Sequence, residues 1–167
     1  MRAIFHCDKK WGIGRGNDLM FTLPADMKFF RETTKGKVVV MGRNTLLSFP
    51  NGKPLKNRVN VVLSPEDMGE GVVTVHDLDE LFSELRKYPD EDIFVIGGAS
   101  VYKTLIPYCS QVLVTKVAAD GNAETFVPDL DADPDFTLTE EGDPIDDNGY
   151  SIRFCTYDNQ NVLSYGK

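Results

Sequence analysis

The chain has 167 residues, of which 41% are hydrophobic and 26% charged, a composition that excludes a disordered chain and a fibrous repeat. At about 150 residues per domain, this length predicts one domain over residues 1–167. The net charge of −8 disfavours nucleic-acid binding, and no apolar run approaches the ~18–20 residues needed to cross a membrane.

Short runs rich in β-branched residues recur along the chain and predict strands. They cover residues 3–7, 37–41, 57–63, 72–75, 92–96, 111–117 and 150–157. Helical patterns lie between them, over residues 24–34, 77–87 and 99–106. Several strands are apolar on consecutive residues, which is typical of a sheet covered by helices on both faces. The order of elements indicates an α/β domain whose last strands pair directly.

The first predicted helix carries an unusual acidic residue. Pro24 stands in its first turn, and Thr22 is the expected N-cap. At helical spacing, Asp26 shares a face with Phe29 and Phe30. A carboxyl group among aromatic rings is desolvated in its charged form and therefore tends to keep a proton. Such a group can hydrogen-bond a planar, protonatable heterocycle, whereas an ordinary acid in a first turn would only complement the helix dipole.

Two predicted strands run into glycines that precede a helix. Gly42 is followed by Arg43, and Gly97 and Gly98 follow the strand at 92–96. Glycine lets the backbone approach a ligand closely, and the free amides of a helix start can bind phosphate. Neither turn has the GxGxxG spacing of the common dinucleotide fold. Two such turns on one sheet suggest a ligand with several phosphates, and the alternative is two ordinary turns with a surface arginine.

Residues 7–23 have no strand or helix period. They contain Gly12, Gly14 and Gly16, together with more apolar side chains than a solvent-exposed loop requires. A mobile lid that closes over a ligand would explain both properties. An ordered crossover packed on the sheet is the alternative.

Residues 117–149 contain eleven acidic residues and no Lys or Arg. Their acids at positions 129, 131, 133 and 140 match the ligand spacing of an EF-hand loop, which leaves a calcium-binding module as a remote alternative. Pro134 stands where that loop needs glycine, and a solvated acidic surface is the competing interpretation. The three cysteines have no CxxC spacing, so we expect no metal site and buried thiols in the reducing cytoplasm.

Five short motifs stand in order along the chain. They are Trp11-Gly12-Ile13-Gly14, Leu23-Pro24-Ala25-Asp26, Val40-Met41-Gly42-Arg43-Asn44-Thr45, Ile96-Gly97-Gly98-Ala99-Ser100-Val101-Tyr102 and Thr125-Phe126-Val127-Pro128. In order and spacing they resemble the dihydrofolate reductase family over nearly the whole chain. The resemblance implies a central, mostly parallel twisted sheet of about eight strands flanked by about four helices, with an antiparallel C-terminal strand pair. It also implies transfer of a hydride from NADPH to C6 of dihydrofolate, with protonation of N5.

The resemblance assigns roles to individual residues. The catalytic group comprises Asp26, Phe21 and Thr115, with Asp26 binding the pterin and supporting protonation through water. The substrate contacts are Phe5, His6, Met27, Phe30, Ser48, Phe49, Leu55, Arg58, Ile96 and Tyr102. The NADPH contacts are His6, Ile13, Gly14, Asn17, Leu19, Gly42, Arg43, Asn44, Thr45, Leu63, Ser64, Ile96, Gly97, Gly98, Ala99, Ser100, Val101 and Tyr102. From its place in the first strand alone, His6 is better interpreted as a packed residue beside the pocket.

The chain departs from the family pattern in the expected lid and beside the cofactor. Phe21 and Met20 replace the family's Trp and the Pro before it, which removes an indole donor and a rigid residue. Pro65 replaces an Arg that pairs with the 2′-phosphate in many relatives, so a preference for NADPH over NADH rests mainly on Arg43. Glu124 replaces an Asp that links one loop to the lid.

A related pterin or pyrimidine reductase of the same fold stays open as an alternative, because fold does not fix function. Arg58 discriminates between the two, since only a substrate that carries glutamate needs its planar fork. We expect a monomer located in the cytoplasm, and the resemblance implies that antifolate inhibitors would bind it.

Overall fold

The structure is a computed structural model that describes residues 1–166. Its helices are α1 (Pro24–Thr34), α2 (Arg43–Ser48), α3 (Leu78–Leu85) and α4 (Ala99–Leu105). Its strands are β1 (Arg2–Cys7), β2 (Gly12–Gly14), β3 (Val38–Gly42), β4 (Val59–Leu63), β5 (Val73–Val75), β6 (Ile93–Gly97), β7 (Gln111–Val117), β8 (Thr125–Phe126), β9 (Phe136–Glu141), β10 (Ile145–Asp147) and β11 (Tyr150–Asn159). Short 3₁₀ turns cover Pro50–Gly52, Asp90–Asp92 and Ile106–Tyr108.

One sheet dominates the fold. Its strands lie in the order β10-β11-β7-β1-β6-β3-β4-β5, and β9 pairs with β11 beside this path. The strands from β7 to β5 pair in parallel, whereas β11 pairs antiparallel with β7, β9 and β10. The expected α/β sheet, mostly parallel with antiparallel C-terminal strands, is confirmed.

The central strands are buried on both faces. In β3, Val38 and Val40 belong to the large core cluster on one face, and Val39 and Met41 belong to a second cluster on the other. This explains the consecutive apolar residues of β3 and β6, because neither strand has a solvent face. The parallel connections bring the carboxyl ends of β1, β3, β6 and β7 to one edge of the sheet, where ligands bind in open α/β folds.

The predicted strands and helices agree with the structure to within about two residues at each end. The structure adds β2, β8, β9 and β10, which the sequence patterns did not predict. Within residues 1–166, no helix combines the length and apolarity that a membrane span requires.

Candidate active site

The Asp26 carboxyl group lies between two polar side chains of the sheet. Thr115 Oγ1 donates a hydrogen bond to Asp26 Oδ1 over 2.6 Å, and His6 Nδ1 lies 3.2 Å from Asp26 Oδ2. His6 and Thr115 are register partners on the neighbouring strands β1 and β7. The Asp26 side chain is 13% exposed, so the carboxyl group is mostly removed from solvent but keeps some access to it. A carboxyl group in this setting can bind a polar group of a ligand without competition from bulk water.

His6 is the polar partner that the sequence did not assign to Asp26. Its side chain is only 7% exposed, and its Nε2 atom is buried without a hydrogen-bond partner among residues 1–166. The imidazole ring also lies 6.1 Å from the Phe21 ring. The position of His6 in the first strand predicted a packed residue beside the pocket, but its contact with Asp26 on α1 depends on how the helix crosses the sheet.

The start of α1 differs from the expectation. Thr22 is not the N-cap; Leu23 is, and it makes no side-chain cap hydrogen bond. Instead, Asp147 at the end of β10 accepts hydrogen bonds from the backbone amides of Ala25 and Asp26, each over 3.1 Å. A cap from a residue more than a hundred positions away leaves no local sequence signal.

Aromatic side chains form the walls beside Asp26. Phe5 and Tyr102 meet edge to face with ring centroids 5.1 Å apart, and Phe21 meets Tyr150 in the same way at 4.8 Å. The Tyr102 hydroxyl donates to the Ile4 carbonyl over 2.8 Å, and burial raises the pKa of Tyr102 well above its usual range. The Tyr102 ring can therefore pack against a ligand, but its hydroxyl is already used and is not free to donate a hydrogen bond.

The other residues expected at the substrate are partly or fully exposed. Phe30, Phe49, Leu55 and Ile96 are half-buried, and Ser48 and Met27 are exposed. Phe49, Leu55 and Ile96 pack on the core cluster that contains Val39 and Met41. Large side chains with one packed and one open side are suited to lining a cleft.

Arg58 is held against the end of α1. Its Nε atom donates to Thr34 Oγ1 over 2.9 Å, and its Nη2 atom donates to the Arg31 carbonyl over 3.0 Å. Nη1 donates to the carbonyl of Lys56 over 2.5 Å. Burial, and then the nearby Arg31 charge, lowers the pKa of Arg58. Arg58 forms no ion pair within the described chain, so an oriented cation lacks an anionic partner.

The turns at 42–43 and 97–98, called the glycine turns below, lie side by side. They are neighbours because β3 pairs with β6, with Met41 opposite Gly97. A Cβ atom on Gly97 would lie 3.0 Å from Thr45 Oγ1, and Gly97 has a φ of +141°, which only glycine adopts readily. The peptide bond between Gly97 and Gly98 is cis. A Cβ on Gly42 would lie 3.2 Å from Val101 Cγ2, so Thr45 of α2 and Val101 of α4 pack too closely on the two turns for a side chain to fit without adjustment.

Several polar groups border the glycine turns. Arg43, Asn44 and Ser100 are exposed, and Arg43 forms no ion pair with any other residue of the described chain. Asn17 Nδ2 donates to the Asn44 carbonyl over 3.0 Å and so connects the loop at 7–23 to α2. Ala99 and Val101 continue the second turn into α4. This edge can hold a ligand that carries several negative charges.

The first half of the loop at 7–23 is pinned to the rest of the chain. β2 pairs with β8, and the buried Asp8 accepts hydrogen bonds from the amides of Gly12 and Gly121. Glu124 Oε1 accepts a hydrogen bond from the Gly16 amide, so Glu124 connects to the loop although it replaces the family's Asp. Residues 15–19 are exposed, including Leu19 at 60%, whereas Ile13 and Gly14 lie deeper in β2.

Ser64, expected near a 2′-phosphate, is buried at 2% exposure just after Leu63. Its Oγ atom accepts a hydrogen bond from the Glu66 amide over 3.1 Å and lies 3.3 Å from the Met68 sulfur. The Ser64 hydroxyl is thus engaged within its own turn. Of the residues expected at the 2′-phosphate, Arg43 is charged and exposed, whereas Ser64 is buried.

The EF-hand alternative is wrong. The acidic loop lies between the strands β8 and β9, whereas an EF-hand loop joins two helices. The Asp131 carboxylate binds Lys116 and the Tyr157 hydroxyl, and Asp129 Oδ1 accepts backbone amides of its own loop. Within residues 1–166, no group of His, Cys, Asp or Glu side chains is arranged to hold a metal ion.

Comparison with known proteins agrees with this geometry. The family model described as dihydrofolate reductase matches residues 1–159. The chain belongs to the dihydrofolate reductase family. It is 33% identical over 166 residues to the dihydrofolate reductase of Bacillus subtilis (strain 168), covering 98% of this chain and 96% of that protein. It is 36% identical over 151 residues to dihydrofolate reductase type 3 of Salmonella typhimurium, covering 89% and 91% of the two chains.

A solved dihydrofolate reductase has the same fold. The enzyme from Enterococcus faecalis, complexed with NADP(H) and RAB-propyl, superposes with a TM-score of 0.81 at 32% identity. The match covers 95% of each chain. Membership of the dihydrofolate reductase family therefore rests on sequence and on architecture together.

Proposed function

We propose that this member of the dihydrofolate reductase family reduces dihydrofolate with NADPH, and that Asp26 is the acid of the reaction. The chain is an NADPH-dependent oxidoreductase by its family. The observation that carries the assignment of the acid is the Asp26 carboxyl group, held by Thr115 and facing His6 at the edge of the sheet where the glycine turns lie.

Asp26 binds the flat ring of the substrate and assists delivery of a proton. Its carboxyl group accepts hydrogen bonds from the ring N3 and the ring amino group, and it supports protonation of N5 through water. Thr115 holds one carboxyl oxygen, which fixes the rotation of the group. His6 contacts the other oxygen and is a proposed neighbour of both the substrate and the cofactor.

The glycine turns and the neighbouring polar groups fit NADPH. The backbone of Gly42, Gly97 and Gly98, where the two turns enter α2 and α4, can approach a pyrophosphate, and Arg43 supplies the charge for a phosphate of the adenosine half. The other proposed cofactor contacts, along the nicotinamide, ribose and phosphates, are Ile13, Gly14, Asn17, Leu19, Asn44, Thr45, Leu63, Ser64, Ile96, Ala99, Ser100, Val101 and Tyr102. NADPH, when bound, supplies the hydride, and the protein aligns the rings in a dry cleft.

The remaining substrate contacts follow from the walls of the cleft. Phe5, Phe21, Phe30 and the half-buried residues of the second core cluster enclose the ring and the aminobenzoyl tail. Arg58 takes the α-carboxylate of the glutamate, because it is an oriented cation with free N–H donors. Antifolate inhibitors would bind the same cleft.

We further propose that residues 1–167 act as one domain and as a monomer in the cytoplasm. One sheet draws its strands from residue 2 to residue 159, which supports a single folding unit. The free, buried thiols of Cys7, Cys109 and Cys155 are typical of a protein in a reducing compartment.

The test is turnover by the purified protein and by Asp26→Asn. The wild-type protein should consume NADPH and dihydrofolate at equal rates, and more slowly with NADH. Asp26→Asn should lose at least about a hundredfold in kcat, because general acid–base groups contribute roughly 10²–10⁴-fold. NADPH affinity, measured by fluorescence titration, should stay within twofold. A folded wild-type protein without turnover contradicts the function, and an Asp26→Asn variant with near-normal kcat contradicts the assignment of the acid.

A further inference from the structure

Asp147 is a buried carboxylate outside the residues assigned so far. It is 5% exposed and ends β10. Its two oxygens accept hydrogen bonds from consecutive amides, Oδ1 from Ala25 and Oδ2 from Asp26 itself. Because Leu23 supplies no side-chain cap, Asp147 provides these first-turn amides of α1 with their partners.

The hairpin that carries Asp147 also contacts the residues just before α1 at two further points. β10 and β11 pair from Asp147 to Tyr150, so the loop between them is Asn148-Gly149. Both loop residues have positive φ, 55° and 87°, as a tight type I′ turn requires. Asn148 Nδ2 donates to the Thr22 carbonyl over 3.0 Å, and the Tyr150 ring contacts Phe21.

We propose that Asp147 is a positioning residue that sets the main chain of Asp26 and so aims its carboxyl group. The proposal rests on the proposed role of Asp26 as the acid. The Asp26 side chain reaches from α1 to Thr115 and His6 on the sheet, so a small shift of the first turn of α1 displaces the carboxyl group from both. Reacting groups held in the right geometry account for a large part of enzymatic rate, and displacements near 1 Å reduce it steeply.

A carboxylate suits this position for two reasons. It offers two acceptor oxygens to two adjacent amides, which neither a hydroxyl nor an amide side chain can do. Its charge also complements the positive end of the helix dipole. An asparagine at position 147 would keep one acceptor and lose the charge, and an alanine would leave both amides without their partner.

The experiment compares Asp147→Ala and Asp147→Asn with the wild-type protein in steady-state kinetics and NADPH titration. We expect Asp147→Ala to lower kcat at least about fivefold. The kcat of Asp147→Asn should lie between those of Asp147→Ala and the wild-type protein. The Kd for NADPH should stay within twofold, because the glycine turns lie on other elements.

Two control variants separate positioning from general effects. Asp77→Ala removes the N-cap of α3, whose side chain accepts from the Glu80 amide, and should lower Tm in a similar way with kcat unchanged. Asp146→Asn removes the same charge from an exposed neighbour on β10 and should leave both kcat and Tm near the wild-type values.

Three outcomes overturn the proposal: kcat within twofold of wild type in Asp147→Ala, a loss of kcat no larger than that of Asp77→Ala, or equal losses of kcat and NADPH affinity. If Asp147→Ala does not fold, Asp147→Asn decides, and a wild-type kcat there overturns the proposal. Asp26→Asn is measured in parallel. If Asp26→Asn keeps its activity, the assignment of Asp26 as the acid fails, and the proposal for Asp147 fails with it. If Asp26→Asn is inactive but the Asp147 variants keep wild-type kcat, only the positioning role of Asp147 is refuted.

Discussion

The Asp26 carboxyl group shows how a buried acid is tolerated in this protein. Removing a carboxylate from water is unfavourable unless hydrogen bonds replace its hydration, and a hydrogen bond to a charged group contributes about 1.5–3 kcal/mol. Thr115 supplies a short one to Oδ1, and the amide end of α1 adds a favourable dipole. His6 Nδ1 lies 3.2 Å from Oδ2, so each oxygen of the carboxyl group has a polar neighbour within the fold.

Arg58 allows a prediction about the substrate. Arg58→Ala should raise the KM for dihydrofolate about tenfold, which corresponds to about 1.4 kcal/mol, with kcat within about threefold. The reason is that the guanidinium is pre-oriented by Thr34 and by two main-chain carbonyls and has no acidic partner in residues 1–166. Steady-state kinetics measures both constants. Lys56→Ala, which removes an exposed charge close by, is the control and should keep the KM.

An unchanged KM in Arg58→Ala would show that the glutamate tail is not recognised there. That result would favour the related pterin reductase over a folate reductase. Arg58→Lys distinguishes the effect of charge from that of geometry, because lysine keeps the positive charge but lacks the planar, bidentate guanidinium group.

The positions of residues in the fold were predictable where the signal is local. Asp26 in a first helical turn, and glycines at the ends of buried strands, are visible in short stretches of sequence. The contact of His6 with Asp26 and the cap from Asp147 span 20 and 121 positions, and both depend on how elements cross in space. Residues 143–147 contain three aspartates, and nothing in the local sequence distinguishes the buried Asp147 from its exposed neighbours.

At the scale of elements, prediction succeeded for strands without a solvent face and failed for β9 and β10, beside β11. β3 and β6 are apolar throughout because helices cover both sides. β9 is exposed from Thr137 to Glu141, and β10 exposes Ile145 and Asp146, so their sequences are those of a solvated loop. These strands exist because β11 offers its free edge to them, which is a tertiary effect.

The glycine turns support a prediction at this scale. Gly97→Ala should weaken NADPH binding at least about tenfold, because its φ of +141° and the Thr45 hydroxyl 3.0 Å from the new Cβ force the second turn to shift. Fluorescence titration with NADPH measures the change. Gly36→Ala is the matched control: its φ is +75° with nothing within 4 Å, so it should lose about 1 kcal/mol of stability and keep NADPH affinity. Equal affinities in wild type and Gly97→Ala would contradict the role of the turn.

At the scale of the whole molecule, the cysteines report on cooperative opening of the sheet. Cys7 lies in β1, Cys155 in β11 and Cys109 two residues before β7, and all are buried. Burial raises the pKa of Cys7 and of Cys109 to about 12, and it raises the pKa of Cys155 as well. At pH 8 the folded protein should therefore hold almost no thiolate, which is the reactive form.

We expect a thiol-specific chromogenic reagent to label the native protein only through global unfolding, and to label all three cysteines at once in denaturant. Where refolding outpaces labelling, the native rate follows the unfolding equilibrium. NADPH at about 100 times its Kd should then slow labelling about a hundredfold, since binding stabilises the native state by about 2.7 kcal/mol. Gly97→Ala should lose most of this protection at the same NADPH concentration, while Gly36→Ala keeps it. Two results would contradict global opening: one thiol that reacts within seconds, or a labelling rate that NADPH does not change. Either would show that the sheet opens locally, apart from the cofactor site.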